Sequence, residues 1–371
     1  MRGLATLTID LDAVAANYRL VEARLAPGCR CAAVVKANAY GLGADEVAAK
    51  LHAEGCRHFF VATGEEGRSV RAVFEDAEPG DQPQIYVLDG PKSGDAADLM
   101  SAWLTPVLNT DRQLSAWQAL AAEMGRPLPA AVHVDSGMNR LGFLPDELAA
   151  LLNQPRHWHG VDVQLLMSHL ACADEPTHPK NDLQRCVFER SRRRFPSAKA
   201  SFANSAGVLL GQPYHYDLVR PGIALYGGNP SPANEAGLTS VVTVSAEIIQ
   251  VHEIDSPQTV GYGATHAVTG RSRIATVPVG YADGYPRSLG NIGFGYLGGT
   301  RVPLVGRVSM DLTTFDVTSV PAAHVQPGTT IQLIGSNARL DDVAAAAGTI
   351  PYELLTRLGS RYERRYLGSV L

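Results

Sequence analysis

The sequence predicts an α/β plus β protein: an N-terminal (β/α)8 barrel of the TIM type, followed by a mostly β C-terminal domain. Three observations carry the prediction. Between about residue 30 and residue 220, eight short β-rich runs alternate with helix-compatible segments, the pattern of a parallel sheet. Eight such units in roughly 200 residues suit a closed barrel. The alternation then stops at Tyr226-Gly227-Gly228-Asn229-Pro230-Ser231-Pro232, a Gly/Pro/Ser cluster with the composition of a linker. Finally, 371 residues exceed what one hydrophobic core usually takes. The expected division is a barrel over 12–230 and a β domain over 231–371 that also takes in an N-terminal strand over 1–11.

In chain order, the barrel strands are expected at Arg30–Val35, His58–Ala62, Gln84–Leu88, Trp103–Val107, Ala130–Val134, Val163–Ser168, Lys199–Ala203 and Tyr216–Val219. Each is short, apolar or β-branched, and bounded by turn residues. Helical patterns fall between them at Gly43–Glu54, Glu65–Phe74, Thr110–Met124, Pro145–Leu152 and Pro179–Arg194. The last ends in Arg192-Arg193-Arg194, cations that complement the carbonyl end of a helix dipole. Beyond the linker, Thr239–Val251, Arg273–Val279, Thr300–Val308, Leu312–Val317 and Thr329–Ile334 read as strands, with helices near Asp341–Ala347 and Pro351–Leu358.

Composition narrows the function classes. Hydrophobic residues make up 45% and charged residues 19%, which excludes a disordered chain. A net charge of −5 argues against a nucleic-acid partner, because phosphate-backbone binders concentrate Lys and Arg on one face. The five cysteines form no CxxC pair and have no zinc-ligand spacing, so a reducing compartment and no metal are expected. The N-terminus lacks an apolar signal region, and no stretch reaches the ~18 apolar residues of a membrane span. A cytoplasmic protein is expected.

Barrel chemistry sits at the carboxyl ends of the strands. The residues directly after the expected strands are Lys36, Thr63, Asp89, Asn109, Asp135, His169, Asn204-Ser205 and Arg220. A lysine ending a buried strand is partly desolvated, which lowers its pKa from ~10.4 and frees the amine as nucleophile or base. A structural lysine whose stem is buried and whose head reaches water reads equally well from this residue alone. Asn204-Ser205-Ala206-Gly207 and Arg220-Pro221-Gly222-Ile223 supply small residues and backbone N–H groups at strand-to-helix turns, an arrangement that cradles phosphate. Lysine and phosphate cradle together suggest a phosphorylated aldehyde cofactor, pyridoxal 5'-phosphate.

On these residues the chain resembles the alanine racemase family, the fold-type III pyridoxal-phosphate enzymes, over nearly its whole length. The matching segments are Val34-Val35-Lys36-Ala37-Asn38-Ala39-Tyr40-Gly41, Asp135-Ser136-Gly137-Met138-Asn139-Arg140-Leu141-Gly142, Ser168-His169, Ala203–Gly207 and Arg220–Gly227 in the barrel. Gly261-Tyr262-Gly263-Ala264-Thr265, Pro278–Gly284 and Val305–Asp311 match in the β half. The resemblance implies an isomerase that interconverts L- and D-alanine, with Lys36 holding the cofactor and serving as one base. Tyr262 would be the second base on the opposite face of the α-carbon, its phenolate favoured by His169 or Arg220. Arg220 would face the pyridine nitrogen without giving it a proton. Arg140 and Met310 would receive the substrate carboxylate, and Tyr40, Asn204, Ser205, Gly222 and Ile223 would hold the cofactor. Tyr281 and Asp311 would line the entrance. Because Tyr262 and Met310 belong to the β half, the resemblance implies a homodimer in which each site is completed by the other subunit. D-alanine supply for peptidoglycan, alanine catabolism and a dedicated biosynthetic pathway are all roles compatible with it.

Three departures are visible. His133 stands seven residues before Arg140, where many relatives carry a lysine that braces the arginine, so a bound anion, a water or His133 itself must do so here. Gly261 replaces a common serine before Tyr262, and Ser360 stands where some relatives place a phosphate-binding tyrosine, which puts the C-terminal share of the phosphate site in question. Two alternatives remain: a racemase of different or broader specificity, such as serine, and a non-catalytic pyridoxal-phosphate carrier.

Overall fold

The computed structural model describes residues 4–368 apart from 93, 155–157 and 234–235. The ends of the expected terminal segments, 1–3 and 369–371, lie outside the described residues. Seven parallel strands follow one another in sequence order: Ala33–Val34, His58–Val61, Gln84–Val87, Leu104–Leu108, Leu128–His133, Val161–Met167 and Lys199–Ser201. The eighth, Leu218–Val219, pairs with Arg30–Cys31. The expected single strand Arg30–Val35 is thus divided at Ala32, since its two halves pair with different neighbours. The chain still closes the ring: Arg30 N donates to Asp217 O at 3.0 Å, Ala32 N to Val219 O at 2.9 Å and Val34 N to Pro221 O at 3.0 Å.

The barrel interior is close-packed. Phe60 and Val107 are fully buried, as are Val87, Val132 and Leu166, which alternate with residues of the barrel mouth and so face the outer helices; each such side chain contributes about 1.5–3 kcal/mol on leaving water. Outside the ring, helix Leu11–Glu22 buries Leu11, Val14, Tyr18 and Val21, one helical face. Its N-cap Asp10 accepts a hydrogen bond from Ala13 N at 2.9 Å. Helix Asp111–Met124 is capped by Thr110 and stopped by Gly125 at φ 64°.

The β half holds a six-stranded sheet that spans the whole sequence. Its order is Thr300–Pro303, Phe294–Leu297, Thr330–Ile334, Val242–Glu247, Ala5–Asp10 and Glu363–Leu367. Ala5–Asp10 therefore precedes the barrel in sequence yet pairs antiparallel with Val242–Glu247 and parallel with Glu363–Leu367. A second sheet joins Gln250–Ile254, Ser272–Val277 and Thr313–Asp316. Two expected strands are shorter than the pattern suggests. Thr239–Val251 breaks after Glu247 because its halves enter different sheets. Thr300–Val308 stops at Pro303, and the rest becomes a loop through Gly306 at φ 77°. No helix among the described residues is long and apolar enough to cross a membrane.

Candidate active site

A cavity of about 780 Å³ opens at the carboxyl ends of the barrel strands, and Lys36, Tyr40, Arg140, His169, Asn204, Ser205, Arg220 and Gly222 all stand on its wall. Of the other residues that follow strands, Asp89 joins them. Thr63 instead caps helix Gly64–Ala72. Asn109 donates to Leu88 O and Val107 O, and Asp135 Oδ1 accepts from the N–H groups of Gly137, Met138 and Asn139 at 2.8, 2.8 and 3.1 Å. These side chains position the loops that carry Arg140 and its neighbours.

Lys36 opens an unusual turn. Ala37, Asn38, Ala39 and Tyr40 all have φ between 51° and 57°, a left-handed helical turn made without glycine. Such residues cost about 1–2 kcal/mol each, so the surroundings must hold them in place. Glu66 Oε1 accepts from Ala37 N at 2.8 Å and Asn38 Oδ1 from Ala44 N at 2.8 Å. From the C-terminal strand, Arg364 donates to Gly41 O at 2.8 Å and the Tyr366 hydroxyl to Leu42 O at 3.0 Å. The Lys36 ammonium is half-buried, and its pKa lies below the usual lysine value, first because burial disfavours the charge and then because Arg140 repels it. The carboxylates of Glu66 and Asp89 oppose that shift.

Pyridoxal phosphate needs a small, donor-rich cradle, and Tyr40, Ser205 and Gly222 form one. Ser205 Oγ accepts from Gly222 N at 2.9 Å and Ala224 N at 3.3 Å, leaving its proton free to donate. A Cβ on Gly222 would lie 2.2 Å from the Tyr40 hydroxyl oxygen, so only glycine fits there. Tyr40 is 7% exposed and sits between Tyr226 and Tyr352, with ring centroids at 4.8 and 5.9 Å. Its hydroxyl makes no hydrogen bond among the described residues, so the cradle retains a donor for a phosphate oxygen. The residues present fit the group. Asn204 caps helix Ser205–Leu209 by accepting from Gly207 N at 2.8 Å. The Ile223 side chain is fully buried and turned away from the cavity.

Ser360 is absent from the cavity wall, but a tyrosine earlier in the C-terminal segment lines it. Tyr352, at the start of helix Pro351–Arg357, lines the cavity with Ile350, Glu353 and Thr356. The residue pattern predicts that helix, but not that its first turn reaches the barrel mouth. Burial pushes the Tyr352 phenol up to about 12, so it remains a donor.

The cationic wall carries different charges in different places. Arg220 is 4% exposed, donating to Ser201 Oγ and Ser168 O at 2.6 Å each, with its guanidinium 5.8 Å from the centre of the Phe60 ring. Burial pulls its pKa down to about 9, which leaves it protonated at neutral pH. His169 is held well below the usual histidine value by burial and then by the charges of Arg220, Arg140 and Lys36. Neutral His169 therefore cannot supply the positive charge expected beside Tyr262, and of the two candidates Arg220 alone keeps a charge. His133, at about 4 through burial and Arg220, is neutral as well, with Nδ1 2.9 Å from Asn109 Oδ1. His133 makes no hydrogen bond to Arg140, whose exposed guanidinium is without a hydrogen bond or ion pair among the described residues. The buried Gln184 ties the loops together, donating to Ser136 Oγ and His169 O and accepting from Ala171 N.

Tyr262, Met310, Tyr281 and Asp311 are absent from this cavity. Tyr262 is 72% exposed, Met310 54% and Tyr281 42%. Gly261 and Gly263, at φ 74° and 73°, flank Tyr262. Tyr281 and Met310 share a loop pair, in which Tyr281 N donates to Ser309 O and Ala282 N to Met310 O, both at 3.0 Å. Arg361 braces that pair, reaching both oxygens of Asp283 at 2.6 and 2.8 Å and Asp311 Oδ1 at 2.6 Å. Asp283 is a buried carboxylate that also accepts from Gly280 N. Among the described residues no cluster of His, Cys, Asp and Glu side chains is arranged to hold a metal ion.

Residues 9–230 match the family model of the alanine racemase N-terminal domain, and residues 241–366 that of the alanine racemase C-terminal domain. An alanine racemase of Rhodospirillum rubrum is 51% identical over 99% of this chain and 97% of its own length. A catabolic alanine racemase of Mesorhizobium japonicum is 46% identical over 98% and 93%. The crystal structure of alanine racemase from Bartonella henselae with covalently bound pyridoxal phosphate is 39% identical and superposes with a TM-score of 0.91, covering 98% of this chain and 99% of that one. The chain belongs to the alanine racemase family.

Proposed function

We propose that the protein exchanges the α-proton of alanine between two bases on opposite faces, Lys36 and Tyr262 of the partner subunit. The chain is a pyridoxal-phosphate-dependent isomerase that interconverts L- and D-alanine. The observation that carries the residue assignment is the single cavity in which a lysine of lowered pKa, a free arginine and a glycine-shaped cradle face one another.

Bound pyridoxal phosphate supplies an electron sink that makes the α-C–H of an amino acid acidic. Lys36 Nζ would hold the cofactor and, as a free amine, would serve as the base on one face, its pKa lowered by burial and by Arg140. Arg140 receives the substrate carboxylate through its planar fork. Tyr40, Ser205, Gly222 and Tyr352 would hold the phosphate, with Asn204 shaping the turn that carries Ser205 and Ile223 offering only backbone. Arg220 would face the cofactor ring while keeping its own proton, which would leave the sink weaker and favour simple proton return. His169 forms a neutral wall.

The second base must come from the other face, since one base tends to return the proton to the side it left. Tyr262 and Met310 are exposed and outside their own chain's cavity, which supports a homodimer with shared sites. In that assembly the partner's Met310 approaches the carboxylate, while Tyr281 of the partner subunit and Asp311 of the partner subunit line the entrance. The barrel over 12–230 would then supply the cofactor and the 231–371 domain the second base.

The test is chiral analysis of the purified protein with L-alanine in deuterated water. Tyr262→Phe is expected to keep the visible absorbance of bound cofactor and lose racemisation, whereas Lys36→Ala loses both. Activity surviving in Lys36→Ala would overturn the assignment. An inert wild type that binds cofactor would mark a carrier, and faster turnover of L-serine than L-alanine would change the substrate.

A further inference from the structure

We infer that Glu66 is the positioning residue of Lys36: its carboxylate locks the left-handed turn that aims the lysine into the cavity and sets a negative charge within electrostatic reach of the amine. This rests on the reading of Lys36 as the cofactor lysine. Glu66 lies in the first turn of helix Gly64–Ala72 and spends both oxygens on backbone from different strands. Oε1 accepts from Ala37 N at 2.8 Å, directly after Lys36, and Oε2 accepts from Ala62 N at 2.7 Å, directly after the strand His58–Val61. Its own N–H is held by Thr63 Oγ1 at 3.3 Å. The carboxylate thus clamps the ends of barrel strands one and two together at the point where the backbone enters its strained conformation.

The rest of the turn is held differently. Arg364, Tyr366 and Asn38 grip its far end, from Gly41 to Ala44, and none of them reaches Ala37. Glu66 is therefore the one side chain among the described residues that fixes the peptide next to Lys36. The charged groups facing Lys36 are Arg140, which lowers its proton affinity, and Glu66 and Asp89, which raise it; neutral His169 completes the wall. Removing the Glu66 charge shifts Lys36 further down while loosening its aim.

Glu66→Gln tests this in the holoenzyme. An amide keeps one acceptor but turns an NH2 group toward a second N–H, so one of the two clamps is lost. Misplacing a catalytic group by about 1 Å costs as much as 10²-fold in rate, so kcat is expected to fall at least tenfold while KM for alanine, governed by Arg140, stays within about threefold. The visible circular dichroism of the bound cofactor should change, and the acid limb of the pH profile of kcat, which reports groups of the substrate complex, should move to lower pH. Glu66→Asp, which keeps the charge with a shorter reach, should retain that limb and lose part of kcat. Borohydride reduction and peptide mapping of the wild type separate the two levels of the claim. Label elsewhere than Lys36 sinks the underlying reading and this inference with it. Label on Lys36, with Glu66→Gln unchanged in kcat, dichroism and pH limb, overturns the role of Glu66 alone, and a lowered melting temperature with those three unchanged does the same.

Discussion

Replacing Gly222 by alanine should close the phosphate cradle, and the structure allows the size of the effect to be worked out. The residue has φ −125° and ψ −81°, with φ outside the left-handed region, so the substitution acts through space rather than through a glycine-only positive φ. The new Cβ would lie 2.2 Å from the Tyr40 hydroxyl oxygen and 2.8 Å from its ring Cζ. Ordinary contact needs about 3.5 Å, so the ring must move by roughly 1 Å. It cannot do so freely, because Tyr226, 1% exposed, stands against one side and Tyr352 against the other. Overpacking of this kind costs about 1–3 kcal/mol. Expressed in cofactor binding, that is about 5- to 150-fold weaker affinity. Titration of the apoprotein with pyridoxal phosphate, followed by visible absorbance, measures it. In a Tyr40→Phe background, where the closest contact is gone, the same substitution should cost less, and a double-mutant cycle reads the coupling. Affinity within twofold of wild type, or full additivity with Tyr40→Phe, would refute the cradle.

Three further outcomes follow from the geometry. Arg140→Ala should raise KM for alanine by about 10- to 100-fold, the loss of a charged hydrogen-bond pair, and leave cofactor affinity unchanged; kinetics and cofactor titration check both. Neutral His133 makes stability depend on pH. Its folded pKa of about 4 lies below the unfolded value near 6.5, so the unfolded chain binds the extra proton between them and stability falls as pH drops through that window. The loss from pH 7 to pH 5 is about 2 kcal/mol, and urea unfolding should show a smaller loss in His133→Gln. Asp283→Asn should destabilise by about 1–2 kcal/mol, since Arg361 is half-exposed and partly screened. Arg361→Ala added to that variant should cost little more, as thermal unfolding would show.

Much of the barrel was legible in the sequence because its parallel strands are buried on both faces and read as apolar runs between turn residues. The β half was less so. Phe294–Leu297 and Glu363–Leu367 carry too little alternation to stand out, and Ala5–Asp10 finds partners more than 200 residues away. At the site, Lys36, Arg220 and Ser205 could be picked out because each stands within a few residues of a strand's carboxyl end, where a barrel puts its chemistry. Tyr352 and Glu66 could not: each lies on an ordinary-looking helix, and its importance depends on which loop that helix meets.

The sequence by itself determined the βα alternation, the lysine and arginine at strand ends, and the family. Tertiary structure alone decided how those groups behave. It sets His169 among Arg220, Arg140 and Lys36, which with burial keeps it neutral, and it brings Arg140 close enough to add to the desolvation that lowers the Lys36 pKa. It also forces four residues after Lys36 into a left-handed turn that no local propensity would choose. Burial and electrostatic field are sums over residues distant in the chain, which a local pattern cannot contain.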